Sequence, residues 1–181
     1  MPHIHDQYGQ HDATVTGYII RTDMDEPRIL LHMHRKLGKL MPVGGHIEMT
    51  ETPWQSIIHE LREESGYDIA ELCILQPKDR LRSLSDVPLH PYPLAMLTAD
   101  YFDEEPGRHF HDDIAYAFVA GGEPAGLPEE GESLDIRWLT ATDLVALPAS
   151  EIFANVREIY AFALNTCLSS WESRPAGEFQ A

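Results

Sequence analysis

Three glutamates, Glu60, Glu63 and Glu64, sit together in a stretch, residues 45–67, that reads GHIEMTETPWQSIIHELREESGY. In a helix, about 100° per residue places all three on one edge, next to an apolar stripe of Trp54, Ile57, Ile58 and Leu61. Glu60 and Glu64 then form a like-charge i,i+4 pair, which costs about 0.2 to 0.5 kcal/mol on an isolated helix, while Arg62 points to a different side. A hard divalent cation relieves that repulsion. Mg²⁺ is commonly held by a few carboxylates together with waters and substrate phosphate oxygens, so this edge can supply the protein half of a metal–phosphate site. A solvated acidic helix face is the alternative for a lone ExxEE. The pair Gly44 and Gly45 upstream weighs against it, because it marks an irregular loop over residues 40–50 where the backbone can be approached closely.

The elements that must position these groups carry their own signals. Thr52 is suited to cap a helix, Pro53 to its first turn, Gln55 to a capping box with Thr52, and Gly66 to its end. Before it, residues 13–20 alternate as a strand with Val15 and Ile19 on one face and Tyr18 and Ile20 on the other; residues 28–34 form its hairpin partner. There Leu30, His32 and His34 share one face and Ile29, Leu31 and Met33 the opposite one. Further strands are expected over 72–76, 94–102, 114–120 and 134–139, with a helical turn at 143–147. From 150 to 171, Phe153, Val156, Ile159, Tyr160, Ala163, Leu164 and Cys167 recur with helical period, which predicts a long C-terminal helix. Mixed strands and helices on this scale predict a layered α/β sandwich: a domain over 13–171, a polar arm at 1–12 and a flexible tail at 172–181.

Composition narrows the function classes. The 181 residues are 43% hydrophobic and 24% charged, ordinary globular usage that excludes wholesale disorder. Lys and Arg number 13 against 30 Asp and Glu, a formal charge of -17 that repels long nucleic acids and anionic membranes. Small phosphates would need a metal ion to approach. Cys73 and Cys167 lie in apolar stretches without CxxC spacing and read as core thiols, and no apolar run approaches the roughly 18 residues of a membrane span. A soluble, reducing, cytoplasmic setting is the expectation.

The string 45–67 matches the Nudix box, G-x(5)-E-x(7)-R-E-U-x-E-E-x-G-U with U a bulky apolar residue, at every constrained position except one. At a background of about 7% per position, chance agreement of its two Gly and four Glu is roughly one in ten million per window. The sequence resembles the Nudix hydrolase family, and GGHIEMTETP looks like its MutT-type members. The resemblance implies an α/β/α sandwich with a mixed β-sheet. It also implies a metal-dependent hydrolase that cleaves a phosphoanhydride (pyrophosphate) bond in a nucleoside diphosphate linked to another moiety, with Mg²⁺ or Mn²⁺ as cofactor. Carried onto this chain, it makes Glu60, Glu63 and Glu64, with the carbonyl of Gly44, the metal ligands, Glu51 a further catalytic carboxylate, and Glu63 or a later glutamate the base. A non-catalytic nucleotide-sensing module of the same fold is the alternative, and the intact carboxylate trio argues against it.

The departure is His59, where the family has an arginine that looks like an orienting partner for box carboxylates. Substrate contacts are expected from Arg35 and Lys39, in a small basic cluster with Lys36, and from His46. Glu129, Glu130 and Glu132 lie in a loop where relatives often place another carboxylate; an exposed acidic loop is the competing reading. The run His109 to Asp113 reads either as a second metal site or as the start of a strand whose polar groups meet substrate or solvent. A small nucleotide-like substrate, neither nucleic acid nor membrane, is the expected partner, and the C-terminal helix and the proline-rich loop offer surfaces for a homodimer.

Overall fold

The computed structural model describes residues 8–102 and 108–179. Among these residues nine strands form one mixed sheet: β1 (His11–Arg21), β2 (Arg28–His34), β3 (Lys39–Met41), β4 (Val43–His46), β5 (Leu72–Gln76), β6 (Ala95–Phe102), β7 (Arg108–Ala120), β8 (Ile136–Leu139) and β9 (Glu172–Pro175). The main path runs β3-β2-β1-β7-β5-β9, with β4 on β1, β6 on β7 and β8 on β2. At its centre β1 and β7 pair in parallel from His11 opposite Phe110 to Arg21 opposite Ala120; the other pairs are antiparallel.

The alternation read in β1 and β2 separates two cores. Val15, Ile19 and Leu30 join Tyr116 and Phe118 on one face, under α1 (Pro53–Glu60), whose Trp54 and Ile57 are fully buried there. Tyr18, Ile20, Ile29 and Leu31 face the other way, against α3 (Ala154–Phe162) and its continuation, which contribute Val156, Tyr160, Ala163 and Cys167. A sheet clad by helices on both faces is the expected α/β/α sandwich. The short α2 (Ala141–Ala146) precedes α3 and is closed by its own capping box between Thr140 and Asp143.

Helix α1 starts as its sequence dictates: the Thr52 side chain accepts from the Gln55 backbone N–H, and the Gln55 side chain accepts from that of Thr52. After Glu60 the winding loosens into a π turn, Leu61–Ser65, where the sequence predicted a regular helix. It ends at Gly66, whose φ of 78° is left-handed. The C-terminal helix likewise contains a π turn, Ala163–Cys167, before its last turn, Leu168–Ser170. Such widened turns often accompany functional sites.

Two expectations about extent are corrected. Residues 172–175, read as the start of a flexible tail, form β9 and pair with β5 from Cys73 opposite Pro175 to Gln76 opposite Glu172. Farther along, Ala176 is fully buried and the indole N–H of Trp54 donates to the Phe179 carbonyl at 3.3 Å. The reason is an open edge: β5 needs a partner for its outer N–H and C=O groups, and this segment supplies it. Residues 39–41 and 43–46, expected as loop, are β3 and β4. The arm 1–12 overlaps β1 at His11 and Asp12; residues 1–7 lie outside the described residues.

Candidate active site

The glycine segment and the carboxylates meet through β1. In β4, Gly44 lies opposite Thr16 and Gly45 opposite Val15. A Cβ on Gly44 would stand 2.3 Å from the Val15 carbonyl oxygen, so no side chain fits there. This close approach leaves the Gly44 N–H aimed at the π turn after α1, where it donates to Glu64 Oε2 at 2.7 Å. His32 Nε2, from the facing position of β2, lies 3.4 Å from the same oxygen.

Glu60 and Glu64 are both buried, at 4% and 7% exposure, on the edge where they line a cavity of about 370 Å³. Gly44, Gly45, Glu63 and Glu132 line it too. Burial pushes the Glu60 carboxyl up to about 7, helped by the nearby charges of Glu63 and Glu132 and opposed by His59. Burial pushes Glu64 up to about 9 against the Gly44 hydrogen bond, with Glu60, Glu132 and Glu63 adding to the rise. Acidic groups that resist ionisation together, around one cavity, are relieved by a cation placed among them. Hard oxygen donors of this kind suit Mg²⁺ or Mn²⁺, and the donor set therefore fits the ion that the box implies.

His59 occupies the arginine position and spans two box carboxylates. Its Nε2 is 2.8 Å from Glu63 Oε1 and its Nδ1 3.5 Å from Glu51 Oε1, while the Ser56 hydroxyl donates to the other Glu51 oxygen at 2.8 Å. The ring's two nitrogens thus face the two box carboxylates, with the closer contact to Glu63. The acidic loop is tied to the same helix: the Glu129 N–H donates to the Glu63 carbonyl at 2.8 Å, and that of Gly126 to the Gly66 carbonyl at 3.2 Å. Glu129 directs its carboxylate to Arg62 at 3.3 Å, and Glu132 lines the cavity, so the loop presents Glu132 to the site.

The other expected contacts separate. His46 lines the cavity. Arg35 lines it as well, but its guanidinium donates to the Gly131 and Glu132 carbonyls at 2.6 and 2.8 Å and holds the acidic loop in place. Lys39 is corrected: its ammonium donates to the Ser150 carbonyl at 2.8 Å and lies 4.8 Å over the Phe153 ring, away from the cavity lining. The strand carries it to the foot of α3, where carbonyls at the loop end attract a cation.

In the run His109 to Asp113, read as a second metal site or as the start of a strand, Asp113 lines the cavity and its carboxylate accepts from the Thr16 and Thr14 hydroxyls at 2.8 and 3.0 Å. Burial holds this carboxyl above the usual range, against those two hydrogen bonds. With His109 and His111, Asp113 points from alternate positions of β7 into the cavity, while Asp112 faces the opposite way toward Thr98 and His11. Of the two readings of this run the structure has the strand: β7 begins at Arg108, ahead of the strand expected from Ile114, and two-residue alternation turns 109, 111 and 113 to one face.

The family profile of the NUDIX domain matches residues 11–161. A NUDIX-family hydrolase from Clostridium perfringens is 26% identical, with a TM-score of 0.64, and the match covers 85% of this chain and 96% of that one. The dihydroneopterin triphosphate pyrophosphohydrolase of E. coli shares the fold at 18% identity and a TM-score of 0.58, over 88% of this chain and all 100% of its own. The NUDIX domain of Shewanella oneidensis NrtR, solved with ADP ribose, does so at 15% identity and a TM-score of 0.56, over 88% of each chain. No curated protein shows significant sequence similarity. The fold is that of the NUDIX-family hydrolases. The chain belongs to the NUDIX family.

Proposed function

We propose that the protein hydrolyses a phosphoanhydride bond in a small nucleoside diphosphate linked to another moiety, with Mg²⁺ or Mn²⁺ as cofactor. The observation that carries this reading is the pair of buried carboxyls, Glu60 and Glu64, facing a cavity of about 370 Å³ that Gly44 also lines. Glu60 and Glu64, with the Gly44 carbonyl, hold the ion, and Glu63 stands at the rim. When bound, such ions neutralise phosphate oxygens and lower the pKa of a water that attacks in line.

The chain's own groups do the rest. Glu63, fixed by His59, is the candidate to accept the proton from the attacking water. His59 and Ser56 together fix Glu51, which keeps a second carboxylate in reserve behind Glu63. The Gly44 N–H orients Glu64 so that its other oxygen is available to a ligand. Arg35 closes the acidic loop and brings Glu132 to the opposite wall. The unpaired thiols Cys73 and Cys167 support a reducing, cytoplasmic setting. No helix among the described residues is long and apolar enough to cross a membrane.

A screen over nucleotides and nucleotide sugars, with Mg²⁺ and with Mn²⁺ and with the phosphomonoester products separated by anion-exchange chromatography, tests the proposal against Glu64→Gln as blank. Turnover should fall at least a hundredfold in that variant, about 3 kcal/mol of barrier, with the fold retained. Equal rates in the two proteins defeat the assignment.

A further inference from the structure

The cavity has a second chemical end. Asp12, His46 and His111 each offer one ligand atom, and these three atoms lie within 4.8 Å of one another. The sheet register brings them together: Asp12 lies directly opposite His111 in the parallel β1–β7 ladder, and His46 of β4 opposite Thr14, two residues on from Asp12 and on the same face of β1. Asp12 is 1% exposed, and its Oδ2 is 3.7 Å from His46 Nε2. The His46 and His111 rings meet edge to face, centroids 5.0 Å apart, and both rings line the cavity.

We propose that Asp12, His46 and His111 form a second metal site, separate from the glutamate site, that takes a borderline transition ion of the Zn²⁺ class. The donor chemistry selects the ion. Two imidazoles and one carboxylate suit zinc and its neighbours, whereas the all-oxygen edge of Glu60, Glu63 and Glu64 suits Mg²⁺. Geometry agrees with small adjustments: bonds of about 2.0 to 2.1 Å in a tetrahedron put ligand atoms about 3.4 Å apart. The Asp12–His46 separation is already close to that, and rotation of the His111 ring closes the remainder. Burial of Asp12 favours the same outcome, since a buried carboxylate is stabilised by adjacent positive charge. Three protein ligands leave a fourth position for water or a substrate oxygen, and both imidazoles line the cavity. An ion there would give the substrate a second anchor in the same cavity.

The test uses the full chain, stripped with chelator and titrated with zinc alone by equilibrium dialysis with elemental analysis. Wild type and the Glu60→Gln/Glu64→Gln double variant should each retain one zinc equivalent. The His46→Gln/His111→Gln double variant should lose it. X-ray absorption at the zinc edge on the wild-type protein, which needs no substitution, should show two imidazole nitrogens. The proposal is overturned if wild type takes up no stoichiometric zinc, if the equivalent survives loss of both histidines or vanishes with the glutamate pair, or if the absorption spectrum lacks imidazole. Because zinc uptake is read without substrate, failure of hydrolysis and failure of this site are distinguishable.

Discussion

Replacing Glu64 by Gln should stabilise the metal-free protein while destroying its catalysis, and the gain should depend on pH. In the fold, burial holds the Glu64 carboxyl up at about 9, compared with 4.5 for the free side chain. A folded-state value above the unfolded one means that the native state keeps a proton the unfolded chain releases. The contribution is therefore fully present below about pH 4.5 and is lost as pH rises through the folded value near 9. At pH 8 some three and a half pH units separate the solution from the unfolded value, and at about 1.36 kcal/mol each they amount to about 5 kcal/mol. Gln keeps an oxygen to accept the Gly44 N–H and cannot ionise, so it escapes this penalty. Relaxation and water entry through the cavity reduce the figure, and a gain of about 2 to 5 kcal/mol at pH 8 is expected, shrinking toward zero near pH 4.5. Urea unfolding of both proteins in EDTA at several pH values measures it. Adding Mg²⁺ at a hundred times its dissociation constant should return about 2.7 kcal/mol to wild type and nothing to the variant. If the two proteins have the same pH dependence in EDTA, the burial of an uncompensated Glu64 charge is wrong and the metal-site reasoning falls with it.

Two further substitutions probe how the site is supported. His59→Ala removes the bridge between Glu51 and Glu63 and should lower turnover ten- to a hundredfold without unfolding, whereas His59→Arg should keep or raise it; steady-state kinetics with matched circular dichroism decide, and a large fall in His59→Arg would give the imidazole a role of its own. Gly66→Ala puts a Cβ 2.6 Å from the Gly126 carbonyl oxygen at a φ of 78°, so a loss of more than about 2 kcal/mol, a fall in Tm of at least roughly 4 to 8 °C, is expected in calorimetry. A Tm unchanged within 1 or 2 °C, on the order of the smallest shift a 1 kcal/mol change produces, would mean that the loop is not packed on the helix end as described.

What local chemistry could specify was readable along the chain. The Thr52–Gln55 capping box, the left-handed Gly66 and the buried stripe of α1 depend on residues within a few positions of one another, and each stands where the spacing put it. The clustering of Glu60, Glu63 and Glu64 followed from helical period, and the two-faced character of β1 and β2 from the two-residue period of a strand. Contacts between distant segments were a different matter. Whether residues 172–175 fray or pair depends on the open edge of β5, about a hundred residues earlier, and nothing in their own composition announces it. Lys39 is drawn to carbonyls at 149 and 150, and Asp12 and His111 become neighbours only through the parallel register of β1 and β7. The amino-acid order by itself determined the carboxylate edge, its glycine neighbour and the family to which they belong. Tertiary structure alone decided how deeply Glu60 and Glu64 are buried, which loop faces them and which histidines share their cavity. Desolvation and sheet register arise from segments far apart in the chain, so neither is encoded in any window short enough to read directly.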